Sequence, residues 1–98
     1  MSAAVSDRGL LELAAKAAGI ELENIPMMGA GLLLKKGGVW NPILDDGDAL
    51  KLAVKLGLFN DEDFVAELKA IWMYSCTDYY AATRRAIVCA AAEIGRGK

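Results

Sequence analysis

Histidine is absent from this chain. That removes the side chain used most often as a general base or metal ligand near neutral pH, and no Ser-His-Asp or Cys-His arrangement can form within one copy. Cysteine is scarce: Cys76 and Cys89 are too few for a disulfide framework. The expectation for both is a buried thiol in a reducing compartment. Cys76 has no basic residue nearer in sequence than Lys69 or Arg84, so its activation as a thiolate is unsupported. Long apolar runs are missing, and none approaches the roughly 18 residues of a membrane span. Residues 1–6 lack the basic start and apolar core of a signal peptide. The expected location is the cytoplasm. A net charge of −2 is not the footprint of a nucleic-acid binder. Trp40 is the only aromatic residue in the first half.

What is present is a globular composition. The chain has 98 residues, 55% hydrophobic and 24% charged, enough for one domain, residues 1–98, with a modest core. Much of the apolar share is alanine, which allows close packing. The most informative stretch runs from Trp40 to Gly57. Pro42 holds Asn41 extended. Asp45 or Asp46 can cap a helix, Asp48 adds charge in its first turn, and Gly57 stops it. Within it Ala49, Leu50, Leu52, Ala53, Val54 and Leu56 are apolar, and Lys51 and Lys55 continue a narrow polar stripe. A helix apolar over so much of its circumference is expected to be covered on more than one side.

Ahead of that block, Ser6 can cap a helix reaching about Ala18, with Gly19 as its stop. Residues 21–31 contain Pro26, Gly29 and Gly31, which interrupt any regular element. Leu32 to Lys36 reads as a strand, Gly37-Gly38 as a two-residue hairpin turn, and Val39-Trp40 as the returning strand. That register sets Lys36 across from Val39 and Lys35 across from Trp40. Beyond the central helix, residues 61–76 have two readings. Asn60 can cap a helix whose apolar face is Phe64, Val65, Leu68, Ile71 and Trp72. Alternatively, Phe64–Leu68 and Ile71–Cys76 form a second hairpin. The β-branched and aromatic content favours strand in the second half, while the lack of turn residues between the halves favours helix. The last element is a helix from about Tyr79 to Ile94, capped by Thr77 or Asp78 and ended by Gly95. Its Ala82, Ala86 and Ala90 form a smooth face.

Three stretches carry a resemblance: Leu10-Leu-Glu-Leu-Ala-Ala-Lys-Ala-Ala-Gly19, the block from Trp40 to Gly57 with its W-N-P-x-x-D-D-G-D-A-L pattern, and Tyr80-Ala-Ala-Thr-Arg-Arg-Ala-Ile-Val-Cys-Ala-Ala-Ala-Glu-Ile-Gly95. Together they cover about half the chain. The pattern resembles small phage and prophage proteins of the ABA-sandwich kind. The resemblance implies helix, hairpin, helix, hairpin, helix, which tips residues 64–76 towards strand. The expected fold is therefore α+β, three helices packed on a small antiparallel sheet of hairpins, with four helices plus one hairpin as the alternative. Leu13, Trp40, Leu50, Val54, Ile87 and Val88 are expected to share one core. The resemblance implies no general activity, so no catalytic residue follows from it.

Asp45, Asp46 and Asp48 lack the alternating spacing of a calcium loop, and read as cap and first turn. Gly29-Ala-Gly31 lacks the lysine and following helix of a phosphate loop. Arg84 and Arg85 can clamp a phosphate or carboxylate, or pair with Asp78 or Glu93 on a solvated face. Trp72, Met73, Tyr74, Tyr79 and Tyr80 are too many large side chains for so small a core, and such residues anchor protein interfaces. The expectation is a non-enzymatic, phage-type interaction protein without cofactor, catalytic residue or metal. It would bind a host protein complex, as an anti-CRISPR-like inhibitor does, through these five residues with Arg84 and Arg85 beside them. No nucleic-acid or membrane partner is expected. The alternative is a small-ligand module holding a nucleotide signal at Arg84, Arg85 and the hairpins.

Overall fold

The computed structural model describes residues 6–28, 31–74 and 77–98, with the backbone alone described for 24–28. The fold is α+β: four helices and a three-stranded antiparallel sheet. Helix α1 spans Asp7–Ala18. The Ser6 hydroxyl accepts from the Gly9 N–H at 3.1 Å, and Gly19 closes the helix in a left-handed turn, φ 70°. Six of its apolar residues, Leu10, Leu11, Ala14, Ala15, Ala17 and Ala18, are buried. So wide a stripe means α1 is covered by more than one element.

The sheet order is β1 (Leu22–Met28), β2 (Gly31–Leu34), β3 (Val39–Trp40). Two sequence expectations change here. Residues 22–28 do form a strand despite Pro26. It is an edge strand whose register shifts between Leu22 and Met27, the setting in which a residue without an N–H is tolerated. The hairpin turn also holds four residues, Lys35 to Gly38, rather than two. Leu32 pairs with Trp40 and Leu33 with Val39. Side chains at opposed positions lie on one face of the sheet. This register sets Trp40 beside Leu32, both buried, where the expected one sets it beside Lys35. Both lysines are left in water. Gly37 and Gly38 have φ of 100° and 88°, so the turn does need glycine at both positions.

Helix α2 spans Asp46–Leu56 and leads through a 3-10 turn, Leu58–Asn60, into α3, Glu62–Tyr74. The second hairpin is therefore replaced by a helix, as apolar periodicity and the missing turn residues favoured. Asp61 rather than Asn60 starts it, its carboxylate accepting from the N–H groups of Asp63 and Phe64 at 2.9 and 3.2 Å. Helix α4, Tyr79–Arg96, begins at Asp78, which accepts from the Ala81 N–H at 3.0 Å, and it continues through Gly95.

Helix α4 is the spine. Its Val88, Ala91, Ala92 and Gly95 are buried, and α1 makes the most extensive packing of any element against it. A Cβ placed on Gly95 would run into the carbonyl of Leu13, so Gly95 is a close-approach residue and not a helix stop. Trp40, Ile87 and Val88 lie in the common core and Leu13 packs against it. Leu50 and Val54 do not: they are 56% and 64% exposed, and α2 buries only Ala49, Leu52 and Ala53. Cys89 is exposed, against expectation; Cys76 lies outside the described residues. No helix among the described residues is long and apolar enough to cross a membrane.

Gly95→Ala tests the helix crossing. Alanine improves intrinsic helix propensity by roughly 0.5–1 kcal/mol, but here its methyl group meets backbone, and overpacking costs about 1–3 kcal/mol. Chemical denaturation should show a net loss of stability; a gain would mean that α1 and α4 can separate without penalty.

Candidate functional site

The residues from Trp40 to Asp48 lock themselves. The Asn41 side-chain oxygen accepts from the N–H groups of Ile43 and Leu44 at 3.0 and 3.3 Å, holding the turn around buried Pro42. The Asn41 N–H donates to Asp48 at 3.0 Å. Asp45 caps α2, accepting from the Asp48 N–H at 2.8 Å. Asp46 instead makes a tertiary tie, receiving Arg84 Nη1 at 2.6 Å. Each of the three aspartates thus has a structural partner, and no group of metal-ligating side chains occurs among the described residues.

Arg84 and Arg85 do not converge. Arg84, with only 17% of its side chain exposed, reaches towards α2, where Nε also donates to the Ile43 carbonyl at 2.8 Å. Arg85 turns the other way, to Asp7 at the start of α1, at 2.9 Å. The partners expected for them are occupied elsewhere: Asp78 caps α4, and Glu93 pairs with Arg96 at 2.6 Å. Both arginines hold helices together, and a shared anion clamp is not formed.

The aromatic set behaves differently. Trp72, Met73, Tyr74, Tyr79 and Tyr80 are all exposed, from 40% at Trp72 to 80% at Tyr74. Two of them are held in place. The Trp72 Nε1–H donates to Thr83 Oγ1 at 2.9 Å, and that hydroxyl donates to the Tyr79 carbonyl at 2.6 Å. This relay ties the last turn of α3 to the first turn of α4. At its other end α3 brings Phe64 and Glu67 beside Ala90 and Ile94, so it runs antiparallel to α4. The start of α2 meets the first half of α4 through Asp46 and Arg84. Both helices pack on α4 and scarcely touch each other.

Where α2 and the 3-10 turn meet the first half of α4 lies a groove of about 300 Å³. Ile87, Thr83 and Tyr79 form its floor, Ala49 and Leu50 one wall, and Phe59 and Tyr80 border it. Phe59 stands edge-on to Phe64, with ring centroids 6.1 Å apart. On the far side of Phe59 a second depression of about 380 Å³ continues along α3 past Val65 and Lys69. The site is therefore larger than the five residues singled out from sequence. Leu50 and Phe59 line the groove and are exposed; Leu50, with the equally exposed Val54, was expected in the core because the apolar content of α2 reads as core, and Phe59 was given no role. A finer signal was available. Ala49, Leu52, Ala53 and Leu56 already complete one helical stripe, so Leu50 and Val54, four apart, form a second.

Comparison of the chain with protein-family models, with curated proteins and with solved structures finds no match.

The two neighbouring aspartates should separate by mutation. Asp45→Ala should lower stability by about 0.5–2 kcal/mol, as loss of an N-cap does. Asp46→Ala should cost less, about 0.2–1 kcal/mol, because the Asp46 carboxylate lies mostly in water and Arg84 keeps the Ile43 carbonyl. Urea titration of both variants checks the order, and a larger loss at Asp46 would reverse the assignment of cap and tie.

Proposed function

We propose that this chain is a non-enzymatic interaction protein that acts by occupying a surface of a host protein complex. On the resemblance to phage ABA-sandwich proteins, its sharpest form is an anti-defence inhibitor of the anti-CRISPR kind. The observation that carries this reading is the exposure of Trp72, Met73 and Tyr74 at the end of α3 and of Tyr79 and Tyr80 at the start of α4, where the two α4 tyrosines line a groove and Trp72 bonds to its Thr83. With the other exposed large residues Leu50, Val54 and Phe59, they leave on the order of 1,000 Å² in water, polar atoms included, at roughly 150–250 Å² for a whole large side chain. One partner of a standard interface contributes about 800 Å². Occupancy needs no catalysis, and tyrosine and tryptophan bury large area with few rotatable bonds.

Alanine variants at the five positions, scored for melting temperature and for capture of host protein from lysate, test the reading. Tyr74→Ala and Tyr80→Ala should leave melting unchanged and weaken capture by about 2 kcal/mol or more. Trp72→Ala should lower both, because the relay through Thr83 is lost. If all five variants capture as the wild type does, or if every loss of capture tracks unfolding, the aromatic face is not the binding face.

A further inference from the structure

A depression of about 260 Å³ opens where the β2–β3 turn, the segment after α1 and the last turn of α2 meet. It shares no lining residue with the aromatic groove. We propose that it binds a short polyphosphate, two or three linked phosphate groups, either free or at the end of a nucleotide. This goes beyond the interaction reading and stands without it.

The charge comes from the lining itself. Lys35 and Lys36 enter from the turn and Lys55 from α2, and Glu21 is the one carboxylate among them. The chain as a whole carries −2, so this is a local reversal of sign. All four arginines of the chain are engaged by carboxylates. Among the described residues none of these three lysines has such a partner, and neither has Glu21. Their charges are therefore free to meet a ligand. Glu21 and the C-terminal end of α1, which carries about half a negative charge, oppose an anion here. Three whole positive charges outweigh them. A multiply charged anion gains from all three at once, whereas a single charge gains little from exposed groups in water.

The backbone that carries these lysines is fixed. The Lys35 N–H donates to the Glu21 carbonyl at 3.1 Å, tying the turn to the segment after α1. The turn is closed by the Leu34 N–H on the Gly38 carbonyl at 3.0 Å and the Gly37 N–H on the Leu34 carbonyl at 2.9 Å. Ile20 and Leu34, also in the lining, pack against the core. Binding then orders side chains and leaves the main chain where it is, which limits its entropic cost. Lysine heads are compact point charges suited to phosphate oxygens, while the planar fork of arginine suits a carboxylate. Among the described residues no aromatic ring lines the depression, so nothing is offered for a base to stack on. Its volume also falls below the roughly 300–1,000 Å³ of sites that enclose a drug-sized ligand. The phosphates, and not a base or sugar, are what it can hold.

Calorimetric titration of the full chain at low salt, with inorganic tripolyphosphate, ATP and adenosine as probes, tests this. The variants are Lys35→Ala, Lys36→Ala, Lys55→Ala, their triple combination, Glu21→Gln, and Lys69→Ala as a charge control from another depression. All these side chains are exposed, so each variant should fold, as checked by circular dichroism. Tripolyphosphate and ATP should both bind and adenosine should not. Each single lysine variant should weaken binding about two- to fivefold, as for loss of an exposed ion pair, and the triple variant about tenfold or more. Glu21→Gln should tighten it, and Lys69→Ala should leave it unchanged. With that lysine dependence in place, tighter binding of ATP than of tripolyphosphate would make a nucleotide the source of the phosphates, and the reverse order a free polyphosphate. No binding of tripolyphosphate, binding of adenosine alone, or an equal loss in Lys69→Ala overturns the site. So does binding of a dT oligonucleotide by a protein that ignores tripolyphosphate. None of these outcomes bears on capture through the aromatic residues, which is read separately.

Discussion

The close crossing of α1 and α4 is the constraint on which the other contacts depend. Gly95 has no side chain because the Leu13 carbonyl occupies that space, and the buried residues near it are largely alanines: Ala14, Ala17 and Ala18 on one helix, Ala91 and Ala92 on the other. Alanine loses no rotamer entropy on burial and lets two backbones approach until their main-chain atoms share dispersion contacts. The crossing is also tied at its ends. Arg85 reaches Asp7, and the Lys98 ammonium donates to the Ala17 carbonyl at 3.2 Å, placing a positive charge at the C-terminal end of α1, where the helix dipole favours it.

With α4 held from one side, its other faces become the support for α2 and α3. The first contact is polar. Arg84 spans from α4 to Asp46 and the Ile43 carbonyl, so the start of α2 and the turn around Pro42 are located together. The second is apolar: Leu58, Phe64 and Leu68 are buried and belong to the common core. The Trp72–Thr83 bond then closes the far end of α3 onto α4. In this arrangement each helix start carries a local acceptor for its orphan N–H groups, Ser6, Asp45, Asp61 or Asp78, so that tertiary contacts need not supply one.

A core rich in alanine has a consequence for the surface. Small side chains fill little volume, and two closely packed helices leave no room between them for rings. The tyrosines at the start of α4, the end of α3 and the outer stripe of α2 remain in water, and Tyr79, Tyr80 and Leu50 among them line a groove. Tyrosine and tryptophan are the side chains that most often anchor interfaces, which is the physical reason to connect their exposure with binding.

Much of the local structure was legible in the sequence because it is encoded by neighbours. Ser6 and Gly19 bound α1, Asp45 and Gly57 bound α2, and Asp78 begins α4, each through hydrogen bonds spanning a few residues. Volume alone indicated that Trp72, Met73, Tyr74, Tyr79 and Tyr80 cannot all be buried, with some expected in the core; the structure exposes all five. Other features depended on which element meets which. Strand register near Trp40 was settled by Leu32, a partner across the sheet. The helical state of residues 62–74 was settled by burial of Phe64 and Leu68 four apart, where local β propensity pointed the other way. Gly95 looked like a helix end because nothing nearby in sequence announces α1 lying against it. Leu50 and Val54 looked like core because hydrophobicity records a preference to be covered, and only the tertiary arrangement decides which preferences are met when there are fewer covering elements than apolar faces.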